Sequence, residues 1–490
     1  MRRRTSRTAP RASANATAAD IRAAAIDVDS GGTVSGGATV EARASKAGLA
    51  RVNRGFADAM IAAGPFEPHP LLALAVSGGS DSMALALLSR DWVRRRKGRA
   101  IALIVDHGLR ADAAAEARLV GRRLDALGLP HRILRWTGAK PASGIQAAAR
   151  AARYALLAGW CRRNGALHLL TAHQCDDQAE TVAMRIAHRS GEAGLAAMSL
   201  VAARDGVRLV RPLLALYRRE LRAFVAAYGV AWVDDPSNED DRFERIRVRR
   251  ALKAADTKRM LRRAATAGAA RETRDDAVAD LLARMRPMPE GWLALPPELF
   301  ADAALPVARD ALRRCLLCIG GDEHAPRGER LDRLLAALRE PGGFRGRTLG
   351  GCRIVGWRGS LLICREPAAI EPAVRIARGG PLRWDRRFEL RFGDAGIAGY
   401  TIRPLGTLDT VAGPLRRARR AAGLPGAVSA GLPALCDRTG RPVAVPALGW
   451  HRSGRAAAMR ARWQPRSALA PARFLSMGES CFNRMADYLE

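Results

Sequence analysis

The chain is short of several residue types, and each shortage excludes something. Cysteine is sparse, eight in 490 residues, too few for a disulfide framework. Cys315 and Cys318 form a CxxC, but inside the apolar stretch Leu312 to Ile319, and no second CxxC or nearby His pair completes a zinc site. Buried helix cysteines in a reducing cytoplasm are the expectation. No apolar run approaches the ~18 residues that cross a bilayer, so no membrane is expected as partner. The sequence has no Gly-Lys dipeptide, which excludes the Walker A loop and with it the P-loop kinases and GTPases. Lysine is nearly absent, five residues within 81 Lys and Arg, and acids number only 48. A GC-rich genome alone favours arginine over lysine. The net charge of +33 is a different matter, since a protein this basic usually meets a polyanion, and nucleic acid is the expected partner.

At 490 residues the chain exceeds one hydrophobic core, and two or three domains are expected. Residues 1–48 are rich in Ala, Arg, Ser, Thr and Gly. Asp20, Asp27, Asp29 and Glu41 interrupt the acid-poor composition of a transit peptide, so a disordered basic tail is expected. Over 49–240 short apolar runs alternate with helical segments. Strands are expected at Leu71–Val76, Ala100–Val105, His131–Trp136 and Ala166–Thr171, with helices from Ser82, over Ala111–Leu127 and over Gln146–Asn164. That pattern argues an α/β fold with a doubly wound parallel sheet, whose ligands bind beyond the carboxyl ends of the strands. A helical basic domain over 241–370 and a small α+β domain over 380–485 should follow. Residues 244–263 carry nine basic residues against two acids. That strip, read as the helix Arg245–Arg263, is either a solvated face or a phosphate-contacting surface.

The sharpest motif is Ser77-Gly78-Gly79-Ser80-Asp81-Ser82, directly after the first strand and opening a helix. Glycines allow a tight turn that presents N–H groups to an anion, hydroxyls add hydrogen bonds, and the helix start contributes its positive end. A Gly/Ser turn alone can be structural; its place at a strand-to-helix junction points to a phosphate cradle. Asp106, in Val105-Asp106-His107-Gly108-Leu109-Arg110, ends the second strand, where a carboxylate can accept from a nucleotide or substrate donor or simply cap the next helix. After the fourth strand comes Thr171-Ala172-His173-Gln174-Cys175-Asp176-Asp177-Gln178-Ala179-Glu180. A helix beginning near Asp176 places Asp176, Asp177 and Glu180 on one face. Three such acids repel unless a cation sits among them, either Mg²⁺ bridging phosphates or the ammonium of an amine substrate. Ordinary acids at a helix start are the plainer alternative.

SGGSDS after a buried strand resembles the signature of the PP-loop (N-type) ATP pyrophosphatases, which cleave ATP between the α- and β-phosphates. Gln146–Tyr154 (QAAARAARY), TAHQCDDQAET, Arg211-Pro212-Leu213-Leu214 and Asp235-Pro236-Ser237-Asn238 follow in order. The set, spanning Leu71 to Arg249, is similar to the tRNA(Ile)-lysidine synthases. Gly431–Leu435 and Val443–Pro446 resemble that family's accessory tRNA-binding parts more loosely. The resemblance implies an ATP-dependent ligase that joins free L-lysine to C2 of the wobble cytidine of CAU-anticodon tRNA(Ile). It would act through an adenylated cytidine, release pyrophosphate and AMP, and turn an AUG reader into an AUA reader. It implies Ser77, Gly78, Gly79, Ser80, Asp81 and Ser82 on the phosphates, and Mg²⁺ at Asp81 with Asp176 or Asp177. Asp106 would meet ATP or substrate, and Asp176, Asp177 and Glu180 the lysine amine, a division left open. Arg150 and Arg211 would stabilise charge at the α-phosphate or base. A homodimer is a further candidate assembly. The chain departs from the family's glycine-rich loop at Arg189 and Ala197, and from its TAHH at Gln174. Two other readings stand beside this one: a PP-loop tRNA thiolase, which needs reactive cysteines near the site, and a non-catalytic basic RNA-binding protein.

Overall fold

The computed structural model describes residues 45–476 except 111, 139, 142, 234–243, 323, 327, 341–343, 378–379, 394–396, 409–412, 453–458 and 471–472. The expected tail (but for 45–48) and the Asp235–Asn238 turn lie outside the described residues. The chain forms two compact units, Met1–Thr273 with Ala472–Glu490, and Arg274–Pro471.

The first unit opens with α1 (Lys46–Ala62), capped by the Ser45 hydroxyl, which accepts the Gly48 amide. Strands and helices then alternate: β1 (Leu71–Ala75), α2 (Ser80–Arg95), β2 (Arg99–Asp106), α3 (Ala113–Ala126), β3 (His131–Arg135), α4 (Ile145–Arg163), β4 (His168–Leu170) and α5 (Cys175–Ala187). A short α6 (Glu192–Leu195), the hairpin β5 (Val201–Arg204) and β6 (Val207–Val210), and α7 (Arg218–Ala227) complete it. The sheet order is β3-β2-β1-β4-β6-β5, parallel throughout except for β5 against β6. β1 reads LLALA because both its faces are covered. Leu72 and Leu74 join the core with α1, α2, α3 and α7, while Ala73 and Ala75 pack with Tyr154 and Leu157 of α4 on the other side. Strand order reverses between β1 and β4, which opens a crevice at their carboxyl ends. The loops carrying the sequence motifs meet there.

The expected single helix Arg245–Arg263 is two helices, α8 (Glu244–Ala251) and α9 (Ala254–Ala283). Between them the Lys253 amide donates to the Asp256 carboxylate at 3.4 Å, a local side-chain acceptor that starts a new helix.

The second unit holds more sheet than the helical expectation over 241–370 included. β7 (Arg286–Met288), β8 (Trp292–Leu295), β9 (Arg347–Leu349), β10 (Cys352–Trp357) and β11 (Ser360–Arg365) form an antiparallel sheet, order β7-β8-β11-β10-β9. Two helices pack on it, α10 (Leu305–Gly320) and α11 (Glu329–Arg339). Cys315 and Cys318 are fully buried in α10, as expected, and burial pushes the Cys318 thiol up to about 12. The remainder, from Val374 to Trp463, folds into a five-stranded and a three-stranded antiparallel sheet. Among the described residues no helix is long and apolar enough to cross a membrane.

Candidate active site

After β1 the chain turns through Ser77–Gly79 into α2. Gly78 sits at φ +91°, and a Cβ there would run into Val120, so only glycine fits. Ser82, buried in the first turn of α2, holds the bend from inside. Its Oγ accepts the amides of Ser77 (3.2 Å) and Gly78 (3.1 Å) and donates to the Gly79 carbonyl (2.9 Å). Ser82 thereby shapes the bend. The amides of Ser80 and Asp81, in the first turn, have no acceptor within the helix and lie at its positive end, the arrangement that suits an anion.

The acids of the β4–α5 loop converge on this bend through one residue that sequence reasoning missed, Arg218 at the start of α7. Its Nε lies 3.5 Å from Asp81, its Nη2 3.7 Å from Asp177, and its backbone amide donates to Asp176 at 2.9 Å. Burial pushes the Asp81 carboxyl up to about 6; Arg218 opposes the rise, and the charges of Asp177 and Asp176 add to it.

Two guanidinium groups from α8 stand among these acids. Arg245 Nε and Arg249 Nε each lie 2.6 Å from Glu180, one on each oxygen, and Arg245 Nη2 lies 2.8 Å from Asp177. Asp177 also caps α5, its second oxygen accepting the Gln174 amide at 3.1 Å. Burial works against the Arg245 charge, yet Asp177 and Glu180 outweigh it and hold its pKa above the usual range. Arg245 and Arg249, four apart on one helix face, suit Asp177 and Glu180, three apart on another, but nothing in the sequence pairs the two helices. Asp176 has no guanidinium within ion-pair distance among the described residues.

Asp106 is buried at the end of β2. One oxygen accepts the Gly108 amide (2.9 Å) and the other faces Arg135 Nε (3.3 Å), so its visible role is to cap the turn that follows. Arginines crowd the neighbouring strand ends. Burial first, and then Arg211, Arg245, Arg150 and Arg153, hold His173 well below its usual pKa, a neutral imidazole whose Nδ1 lies 3.0 Å from Thr171 Oγ1. The site thus joins a glycine-shaped bend at a helix start, an acid cluster whose Asp81 resists ionisation, and neighbouring arginines.

The loop after α5 shows how the chain tolerates its departures from the family. Arg189 and Ala197 have φ of 50° and 54°, the left-handed region that glycine takes without strain. Polar contacts hold the Ala197 end of the loop there. Gln178 exchanges two 2.9 Å hydrogen bonds with the Met198 backbone, and Arg185 donates to the carbonyls of Gly194 and Ala197. Cys175, the cysteine in the motif itself, is buried, and burial pushes the Cys161 thiol up to about 11, away from an activated thiolate.

Among the described residues no three His, Cys, Asp or Glu side chains are arranged to hold a metal ion. A Mg²⁺ carried by phosphate oxygens needs only one or two protein carboxylates. Asp81 fits that need, because an adjacent cation relieves both the burial and the like charges that oppose its ionisation.

A PP-loop domain family model matches residues 51–255. The tRNA(Ile)-lysidine synthase of Ruegeria pomeroyi is 40% identical over 330 residues, covering 66% of this chain and 77% of that protein. That of Bradyrhizobium sp. strain BTAi1 is 41% identical over 343 residues, covering 64% and 94%. That of Rhodopseudomonas palustris is 49% identical over 230 residues, covering 45% and 66%. Among solved structures, a U34-tRNA thiolase from Methanococcus maripaludis covers 44% of this chain and 78% of its own at 14% identity and a TM-score of 0.38. So slight a likeness carries no argument for a thiolase.

Proposed function

The chain belongs to the tRNA(Ile)-lysidine synthase family, and from that premise we infer how its residues divide the work of an ATP-dependent ligase. The reaction joins L-lysine to C2 of the wobble cytidine in CAU-anticodon tRNA(Ile). The C2 carbonyl oxygen attacks the α-phosphate and pyrophosphate leaves; the lysine ε-amine then attacks C2, loses a proton, and AMP leaves. The modified base pairs with A, so the codon read changes from AUG to AUA.

The Ser80 and Asp81 amides and the start of α2 hold the departing β- and γ-phosphates. Asp81 holds Mg²⁺, which supplies charge neutralisation on those phosphates when bound. Arg211 and Arg150 face the negative charge that grows on the α-phosphate and base. Neutral His173 adds no charge to compete with theirs. Of the three loop acids, Glu180 and Asp177 are engaged by Arg245 and Arg249 and hold α8 against α5. Asp176 is the acid assigned to the lysine ammonium. One observation carries this reading: a single guanidinium, Arg218, touches both Asp81 and Asp177 while its amide binds Asp176, so phosphate loop and amine-binding loop are neighbours.

The experiment is direct. Purified protein with ATP, CAU-anticodon tRNA and radiolabelled lysine should transfer label to the tRNA, with one AMP formed per lysine. Label entering only from a sulfur donor would instead establish a thiolase.

A further inference from the structure

Arg211 is held by a backbone that is itself held from far along the chain. Its Nη1 donates to the Ser199 carbonyl at 2.6 Å and its amide to the Leu200 carbonyl at 2.9 Å. Leu200 in turn donates its amide to the Leu475 carbonyl (2.9 Å). The Leu475 amide donates to Ser199 Oγ (2.9 Å) across 276 residues of sequence. Both neighbours of Leu475 are anchored on α9. Phe474 is buried under the Arg271 guanidinium, 4.3 Å from its ring centroid, and the Ser476 amide donates to the Glu272 carboxylate. Gly268 lets the segment come close, since a Cβ there would meet the Ser476 side chain. Arg271 also donates to the Ala193 carbonyl, tying the same helix to the loop that leads to Ser199.

We propose that Phe474–Ser476 is a positioning segment for the adenylation step: by fixing Ser199 and Leu200 it sets where the Arg211 guanidinium stands when charge develops at the α-phosphate. The proposal rests on the reading of Arg211 given above. Such a device acts on rate, since a small misplacement of a charge-stabilising group is felt in the transition state more than in substrate binding.

The test uses the full chain, with pyrophosphate release from ATP and CAU-anticodon tRNA as the readout. Phe474→Ala removes the anchor; Ser199→Ala removes only the hydroxyl that receives the Leu475 amide, and decides the matter should the first variant not fold. Each should lower kcat about tenfold while the KM values for ATP and tRNA stay near those of the native protein. Combined with Arg211→Lys, neither should add a further loss, because the segment acts only through Arg211. Losses that multiply in the double variants, or an unchanged kcat in Ser199→Ala, overturn the proposal. Arg211→Lys with native kcat is a separate result: it removes the role of Arg211 on which the proposal stands.

Discussion

Replacing Asp81 by asparagine keeps the side chain's shape and removes a charge the fold does not favour. Burial, with Asp177 and Asp176 nearby, raises its carboxyl from 3.8 to about 6 against the pull of Arg218. A rise of that size corresponds to roughly 3 kcal/mol between the protonated and ionised forms. Because the folded value lies above the unfolded one, this carboxyl's contribution is fully present below about pH 4, declines as the pH rises, and is lost above about 6. Asp81→Asn lacks that decline. The variant should therefore match the native protein near pH 4 and exceed its stability at pH 8 by at most about 3 kcal/mol. The pull of Arg218, 3.5 Å away, is already contained in that net rise. For a unit of this size the gain is several degrees in Tm. Turnover should be abolished in the same variant, since the carboxyl that burdens the empty fold is the one assigned to Mg²⁺ and the phosphates. Thermal unfolding of both proteins without nucleotide, at pH 4.5 and pH 8, measures the difference. A variant less stable than the native protein at pH 8 would refute the reasoning.

Glu180→Ala leaves Arg245 and Arg249 without their shared acceptor. It should cost about 3 kcal/mol in urea unfolding, at the low end for such a loss because both arginines keep some solvent contact; a cost under about 1 kcal/mol would show that the pair matters little. Ala197→Gly should leave stability unchanged or raise it, although glycine normally costs up to about 1 kcal/mol against alanine, because Ala197 already stands at φ 54°. A loss of that normal size would contradict the strain argument. Affinity for tRNA should fall about a thousandfold between 50 and 200 mM salt if six or more phosphates are contacted; a change under about tenfold in filter binding would remove the basic surface from recognition.

How much of this was legible in sequence follows from what each feature depends on. β1, β2, β3 and the helix starts at Ser80, Ala113 and Ile145 lie within about two residues of where apolar runs and Gly/Ser turns place them; for the buried β1 and β2, cover on both faces leaves little choice of residue. The motif acids gather as expected, since each follows a parallel strand and all such strands point their carboxyl ends the same way. What neutralises those acids was not legible. Arg218, Arg245 and Arg249 come from helices 40 to 70 residues further along, and spacing within one motif says nothing of a partner on another helix. That Asp106 also accepts the Gly108 amide depends on where that amide lies, which the sequence does not give. The sheets of the second unit were underestimated because strands of two to six residues leave short patterns among arginines.

The central claim is that an acid beside the phosphate bend receives the incoming amine, and the KM for lysine of Asp176→Asn tests it most directly. A charged hydrogen bond lost at the ammonium should raise that KM ten- to a hundredfold, while pyrophosphate release from ATP and tRNA in the absence of lysine continues. A variant whose lysine KM equals that of the native protein would place the amine elsewhere and contradict the account.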